Sequence, residues 1–206
     1  DLVEYSRQIK TAGDLKTQIE RYANESWRID DAVLLAIASV HSQSYLGLIQ
    51  KVIAHVYKPW LNATIDAFQK NWIETPPEQE KKDIPVQGGV LYFFIDGLRM
   101  DLANRLQSHL SAAGYQATLT PQLSVIPSIT ETAKPASMPI ASKLFAGDEL
   151  TPKTGSGACA RIEALRSLLK EHGYQVIKNE ELGDPTGGGW TEFGNIDHEG
   201  HDKGLT

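Results

Sequence analysis

A run of six apolar residues, Val90-Leu91-Tyr92-Phe93-Phe94-Ile95, leads straight into an acid, Asp96, and on through Gly97-Leu98-Arg99-Met100-Asp101. About a hundred residues later, Asp197-His198-Glu199-Gly200-His201 sets an Asp and a His four positions apart. Asp96, Asp197 and His201 together offer two hard carboxylates and one borderline imidazole, a donor set suited to a divalent metal. Between them lies a hydroxyl cluster, Ser124-Val125-Ile126-Pro127-Ser128-Ile129-Thr130-Glu131-Thr132, whose proline prevents a regular helix just upstream. A hydroxyl becomes a strong nucleophile at neutral pH when a metal lowers its pKa or a base holds its proton. The chemistry these residues could do is therefore metal-assisted hydrolysis. Each also has a plainer use. Asp96 could cap a helix, Ser128 to Glu131 has capping-box spacing, and Asp197 with His201 could be loop polarity. Arg99 could present its fork of donors to a phosphate or pair with Asp101.

The elements that would hold these residues fall into two regions. Residues 1 to about 73 read as a helical module: apolar residues recur at helical spacing through Ala32-Val33-Leu34-Leu35-Ala36-Ile37-Ala38 and again from Tyr45 to Tyr57, with no proline before Pro59. Asp30 or Asp31 is the expected cap of that apolar run, and Trp27, Trp60 and Trp72 are expected to pack between helices. Residues 74–86 are proline-rich and charged, which suits a linker. From residue 87 on, the pattern changes to α/β. The apolar run ending at Ile95 predicts a strand covered on both faces, as in a parallel sheet. Asp101 to Ala113 predicts a helix closed by Gly114, and Gln116 to Val125 a further strand. Arg161 to His172 predicts a helix stopped by Gly173, with Tyr174-Gln175-Val176-Ile177 as the next strand. That alternation is the pattern of an open α/β sheet with helices on both faces, in which ligands collect beyond the C-terminal ends of the strands. Asp96 is the first polar residue past such an end.

Composition narrows the function classes. A net charge of −6 argues against gripping nucleic acid by bulk positive charge. The single Cys159 excludes an internal disulfide and fits a reducing, cytoplasmic setting. No apolar stretch is long enough to span a bilayer, so no membrane partner is expected. The other four histidines, His41, His55, His109 and His172, fall in helical regions and are expected to be structural or exposed. The chain opens within a helical pattern without Met and stops soon after His201, and is expected to be a piece of a longer protein.

Three segments carry a resemblance. Phe94-Ile95-Asp96-Gly97-Leu98-Arg99-Met100-Asp101, then Ile126-Pro127-Ser128-Ile129-Thr130-Glu131-Thr132, then Trp190 through His201 resemble, in order and spacing, the PglZ domain, a branch of the alkaline phosphatase superfamily found in bacterial BREX phage-defence systems. The resemblance covers roughly residues 86 to 206. It implies the first part of an alkaline-phosphatase-like sheet and a site with two divalent metals, commonly Zn²⁺. Asp96 resembles a ligand of the metal that activates the nucleophile. Thr130 resembles the nucleophile bridging the metals, preferred over Ser128 by the Pro-[Ser/Thr]-x-Thr pattern of phosphodiesterase members. Asp197 and His201 resemble the pair on the other metal. The superfamily adds a second Asp-His pair and another His downstream, so these 206 residues are expected to be inactive alone. The implied function is that of a phosphodiesterase or nuclease-like hydrolase acting with other BREX proteins, the substrate being either DNA or a small phosphorylated compound, with the choice between mono- and diester left open. The alternative is a degenerate hydrolase domain serving as a scaffold or regulatory binding module.

Overall fold

The computed structural model describes residues 13–77, 83–147, 149–178 and 181–193. The chain divides into two compact units, one made of Asp1–Glu78 with Arg99–Leu123 and the other of Gln79–Leu98 with Ser124–Thr206. No described helix is long and apolar enough to cross a membrane.

The first unit is helical. Asp14 caps α1 (Leu15–Arg21) by accepting from the Thr17 amide at 2.8 Å. The helix does not stop at Arg21 but widens into a π-helical stretch, Tyr22–Ser26, and continues as α2 (Trp27–Ala38). This overturns the expectation of a cap at Asp30 or Asp31, because no helix begins there. Asp30 is instead buried within α2, and Asp31 pairs with Arg105 at 2.5 Å. After the turn at Ser39 comes α3 (Gln43–Glu74), which runs through Pro59. Ile29 and Trp60 supply the buried apolar contacts, and Gln18 and Asn71 link α1 to α3 through Gln18 Nε2 to the Thr64 carbonyl at 2.9 Å and Asn71 Nδ2 to Gln18 Oε1 at 3.2 Å. Trp72 lies beside Phe68, with ring centroids 5.8 Å apart. Helix α4 (Met100–Ala112) belongs to this unit and packs on α2.

The second unit is mixed α/β, built on a three-stranded parallel sheet in the order β1-β3-β2, with β1 Leu91–Ile95, β2 Gln175–Ile177 and β3 Gly189–Phe193. Its helices among the described residues are α5 (Thr130–Ser137) and α6 (Ile162–Glu171), with a short 3₁₀ turn at Ala141–Lys143. The expected helix ends hold: Gly114 and Gly173 follow α4 and α6 with φ of +87° and +84°. The core joins Met138, Ile140, Leu144, Leu165, Leu169, Tyr174 and Trp190. Tyr92 and Phe94 reach it from β1, Phe94 stacking on Trp190 at 5.9 Å and Tyr92 meeting Tyr174 edge-on at 5.8 Å.

Two strand expectations need correction. Residues 116–125 pair with no strand among the described residues. β1 is parallel as expected but is not covered on both faces: side chains alternate across a strand, and Leu91 and Phe93 remain about half exposed, at 52% and 50%. Among the described residues, it is the face of Tyr92 and Phe94 that meets the core cluster. The apolar run reports the residue types, and the packing of neighbouring elements decides which faces are covered.

Candidate active site

Asp96 stands in the turn immediately after β1, with Gly97 behind it at φ +74°, a left-handed conformation that costs an L-residue roughly 1–2 kcal/mol. The turn therefore selects glycine and in doing so fixes where the Asp96 side chain leaves the sheet. Asp96 does not cap the next helix: the residue before α4 is Arg99, extended at φ −84° and ψ 164°, with no side-chain cap bond. Likewise α5 begins at Thr130 after an extended Ile129, and no side chain caps it, so the capping-box use of Ser128 does not occur. Thr132 instead donates back to the carbonyls of Pro127 and, at 3.0 Å, Ile129. That bond ties the first turn of α5 to the proline-containing segment before it.

These two local structures bring Asp96 and Thr130 together. Thr130 Oγ1 donates to Asp96 Oδ2 at 3.1 Å, with Thr130 exposed and Asp96 half-buried. The hydroxyl sits in the first turn of a helix, where backbone N–H groups and the macrodipole favour negative charge. A carboxylate and a hydroxyl oxygen are donors of the kind a divalent metal takes, so these two residues would suit part of a metal's ligand set. Asp197 and His201 lie outside the described residues. Among the described residues, no group of three or more His, Cys, Asp or Glu side chains is arranged to hold a metal ion.

Arg99 turns to Asp101. Its Nε and Nη2 donate to Oδ1 and Oδ2 at 3.2 and 3.1 Å, and Asp101 is fully buried while the guanidinium is about half exposed. Burial opposes the Arg99 charge, but the carboxylates of Asp101 and Asp30 outweigh it and hold its pKa above the ordinary value. Asp30 accepts from Tyr22 Oη at 2.5 Å and Tyr57 Oη at 2.6 Å. Burial, then the hydrogen bonds to Asp30, push both phenols well above the usual tyrosine range.

One cluster escaped sequence reasoning. Lys134, one helical turn after Thr130 on α5, pairs with Glu192 of β3 and lies over the Phe94 ring at 5.5 Å. Glu192 also accepts from Trp190 Nε1 at 3.3 Å and has Arg166 of α6 at 3.7 Å. The parallel register sets Glu192 beside Phe94. The spacing of Thr130 and Lys134 was a visible signal that both share one helix face; the partner on β3, 58 residues away, was not. His41, His55, His109 and His172 are all exposed, as expected. His55 and His172 each pair through Nδ1 with a backbone carbonyl one turn back.

The geometry defines the class in outline: a mixed α/β unit with a hydroxyl-carboxylate pair beyond the end of a parallel strand. Comparisons with family models, curated proteins and solved structures found no match to this chain.

Proposed function

We propose that the chain forms part of a metal-dependent phosphohydrolase, a phosphodiesterase or nuclease-like enzyme of bacterial anti-phage defence, with Thr130 as its nucleophile. The observation that carries this reading is the 3.1 Å hydrogen bond from Thr130 Oγ1 to Asp96 Oδ2 at the C-terminal side of β1, the edge where open α/β sheets bind ligands. The resemblance of the three segments to the PglZ domain adds the alkaline-phosphatase-like fold and the BREX partners, with DNA or a small phosphate ester as the substrate class, and the single Cys159 fits a cytoplasmic setting. In this reading Asp96 would hold one divalent metal, Zn²⁺ being the choice, Asp197 with His201 would hold a second, and Thr130 would stand between the two. The metals would supply a lowered hydroxyl pKa and neutralisation of phosphate charge. The chain's own contribution is orientation. Asp96 fixes the Thr130 rotamer, the hydroxyl proton points at Oδ2, and the helix N-terminus favours the charge that develops on the phosphoryl oxygens.

The resemblance implies further ligands downstream of His201, so the test compares the polypeptide that carries them with the 206-residue chain. The expected outcome is Zn²⁺- or Mn²⁺-dependent hydrolysis of bis(p-nitrophenyl) phosphate by the longer polypeptide, reduced roughly a thousandfold or more by Thr130→Ala. Metal binding without turnover in every form would replace this reading with that of a scaffold or regulatory domain.

A further inference from the structure

We propose that the exposed face of the first half of α3 docks an amphipathic, acidic helix of another protein. The inference does not depend on the chemistry at Asp96 and Thr130.

Tyr45, Leu48 and Val52 are 65%, 58% and 47% exposed and follow one another at spacings of three and four, so they form one continuous stripe. Those spacings match the a, d and a positions of a heptad, the pattern by which helices mesh; His55 holds the next d and Pro59 the next a, so the apolar seam ends at Val52. Lys51 and Lys58 then occupy the two successive g positions, bordering the stripe, and both are exposed. In meshed helices the g positions face charged positions on the partner and choose it by sign. At the upper end of the stripe the turn between α2 and α3 leaves a groove of about 380 Å³, lined by Val40, His41, Ser42, Tyr45, Leu48 and Ile49. A groove of this size can seat one anchoring side chain at the end of a docked helix.

Charge selects the occupant. No acid occurs between Asp31 and Asp66, a stretch that carries Lys51, Lys58, His41 and His55, although the whole chain has a net charge of −6. An antiparallel second copy would set Lys51 against Lys58, like charge on like, and a parallel one would set the lysines against the apolar e positions Val56 and Ala63, leaving both charges without a partner. A nucleic acid would find only two lysines beside three apolar side chains, too little charge to hold a backbone. A helix with apolar a and d positions and acids on their borders satisfies both the stripe and the lysines.

The probe is a fluorescein-labelled three-heptad peptide with Leu at a and d and Glu at e and g, and its counterpart with Lys at e and g, each titrated into the 206-residue chain by anisotropy. The expected result is binding of the Glu peptide that weakens at high salt and by about tenfold in Leu48→Gln, with unchanged circular dichroism. Lys51→Glu with Lys58→Glu should transfer preference to the Lys peptide. Equal binding of the two peptides, binding of neither, self-association abolished by Leu48→Gln, or retention of a single-stranded oligonucleotide instead would each overturn the proposal.

Discussion

At the scale of single residues, the contrast between Asp96 and Asp101 shows how position in the fold assigns a role. Both are acids flanking the same turn, yet Asp101 is fully buried against Arg99 while Asp96 is half-buried and holds a hydroxyl. Removing Arg99 takes its partner from the buried Asp101 carboxylate, but the guanidinium is about half exposed, so the loss is closer to that of a charge-assisted hydrogen bond, roughly 1.5–3 kcal/mol, than to that of a fully buried pair. Arg99→Ala should therefore lower stability by about 2 kcal/mol in urea unfolding. Were Arg99 chiefly a phosphate ligand, the same variant would raise KM and leave the unfolding midpoint in place. The tyrosines on Asp30 make a separate prediction. Their folded-state pKa values lie above the unfolded value of 10.0, so the folded state holds their protons longer than the unfolded state does. The stability they contribute is fully present below pH 10 and is lost as pH rises beyond it. Unfolding measured across pH 8 to about 11 should show a decline beginning near pH 10 that is smaller in the Tyr22→Phe, Tyr57→Phe double variant.

At the scale of elements, α5 is short and carries a proline, so its position depends on what its side chains hold. Lys134 holds it to β3 through Glu192, with both side chains mostly buried, at 15% and 19% exposure. Lys134→Met leaves Glu192 with Trp190 Nε1 at 3.3 Å and Arg166 at 3.7 Å, and these remaining partners should limit the cost to about 1–2 kcal/mol. Lys134→Met with Glu192→Met should cost less than the sum of the two single changes, because no unpaired charge remains. A double-mutant cycle in urea checks this, and strict additivity would mean the pair does not tie the helix to the strand.

At the scale of the whole molecule, the net charge of −6 sets the background against which any local site works. Without a bulk positive surface, few counterions can be released from duplex DNA, so sequence-independent affinity should be weaker than about 10⁻⁴ M at physiological salt. Fluorescence polarisation of a labelled duplex measures it, and micromolar binding would point to a basic face formed despite the overall charge.

How much of this was legible beforehand depended on the range of the interaction. Helical spacing announced the helices between Leu15 and Glu74. The apolar run ending at Ile95, Gly114 and Gly173 marked a strand and two helix ends within a residue or two. These are local effects, settled by backbone propensity and by the conformations glycine permits. The candidate pair was legible as two separate suggestions, an acid after a strand and a hydroxyl after a proline. Their approach to 3.1 Å was not, since 34 residues separate them. The sequence by itself determined residue types, periodicity and charge. Tertiary structure alone decided that Asp30 is a buried acceptor rather than a cap, that Leu91 and Phe93 of β1 stay about half exposed, that Lys134 meets Glu192, and that Asp96 meets Thr130. The reason is that burial and pairing depend on which distant segments pack together, and pairing energies of a few kcal/mol exist only once those segments are side by side.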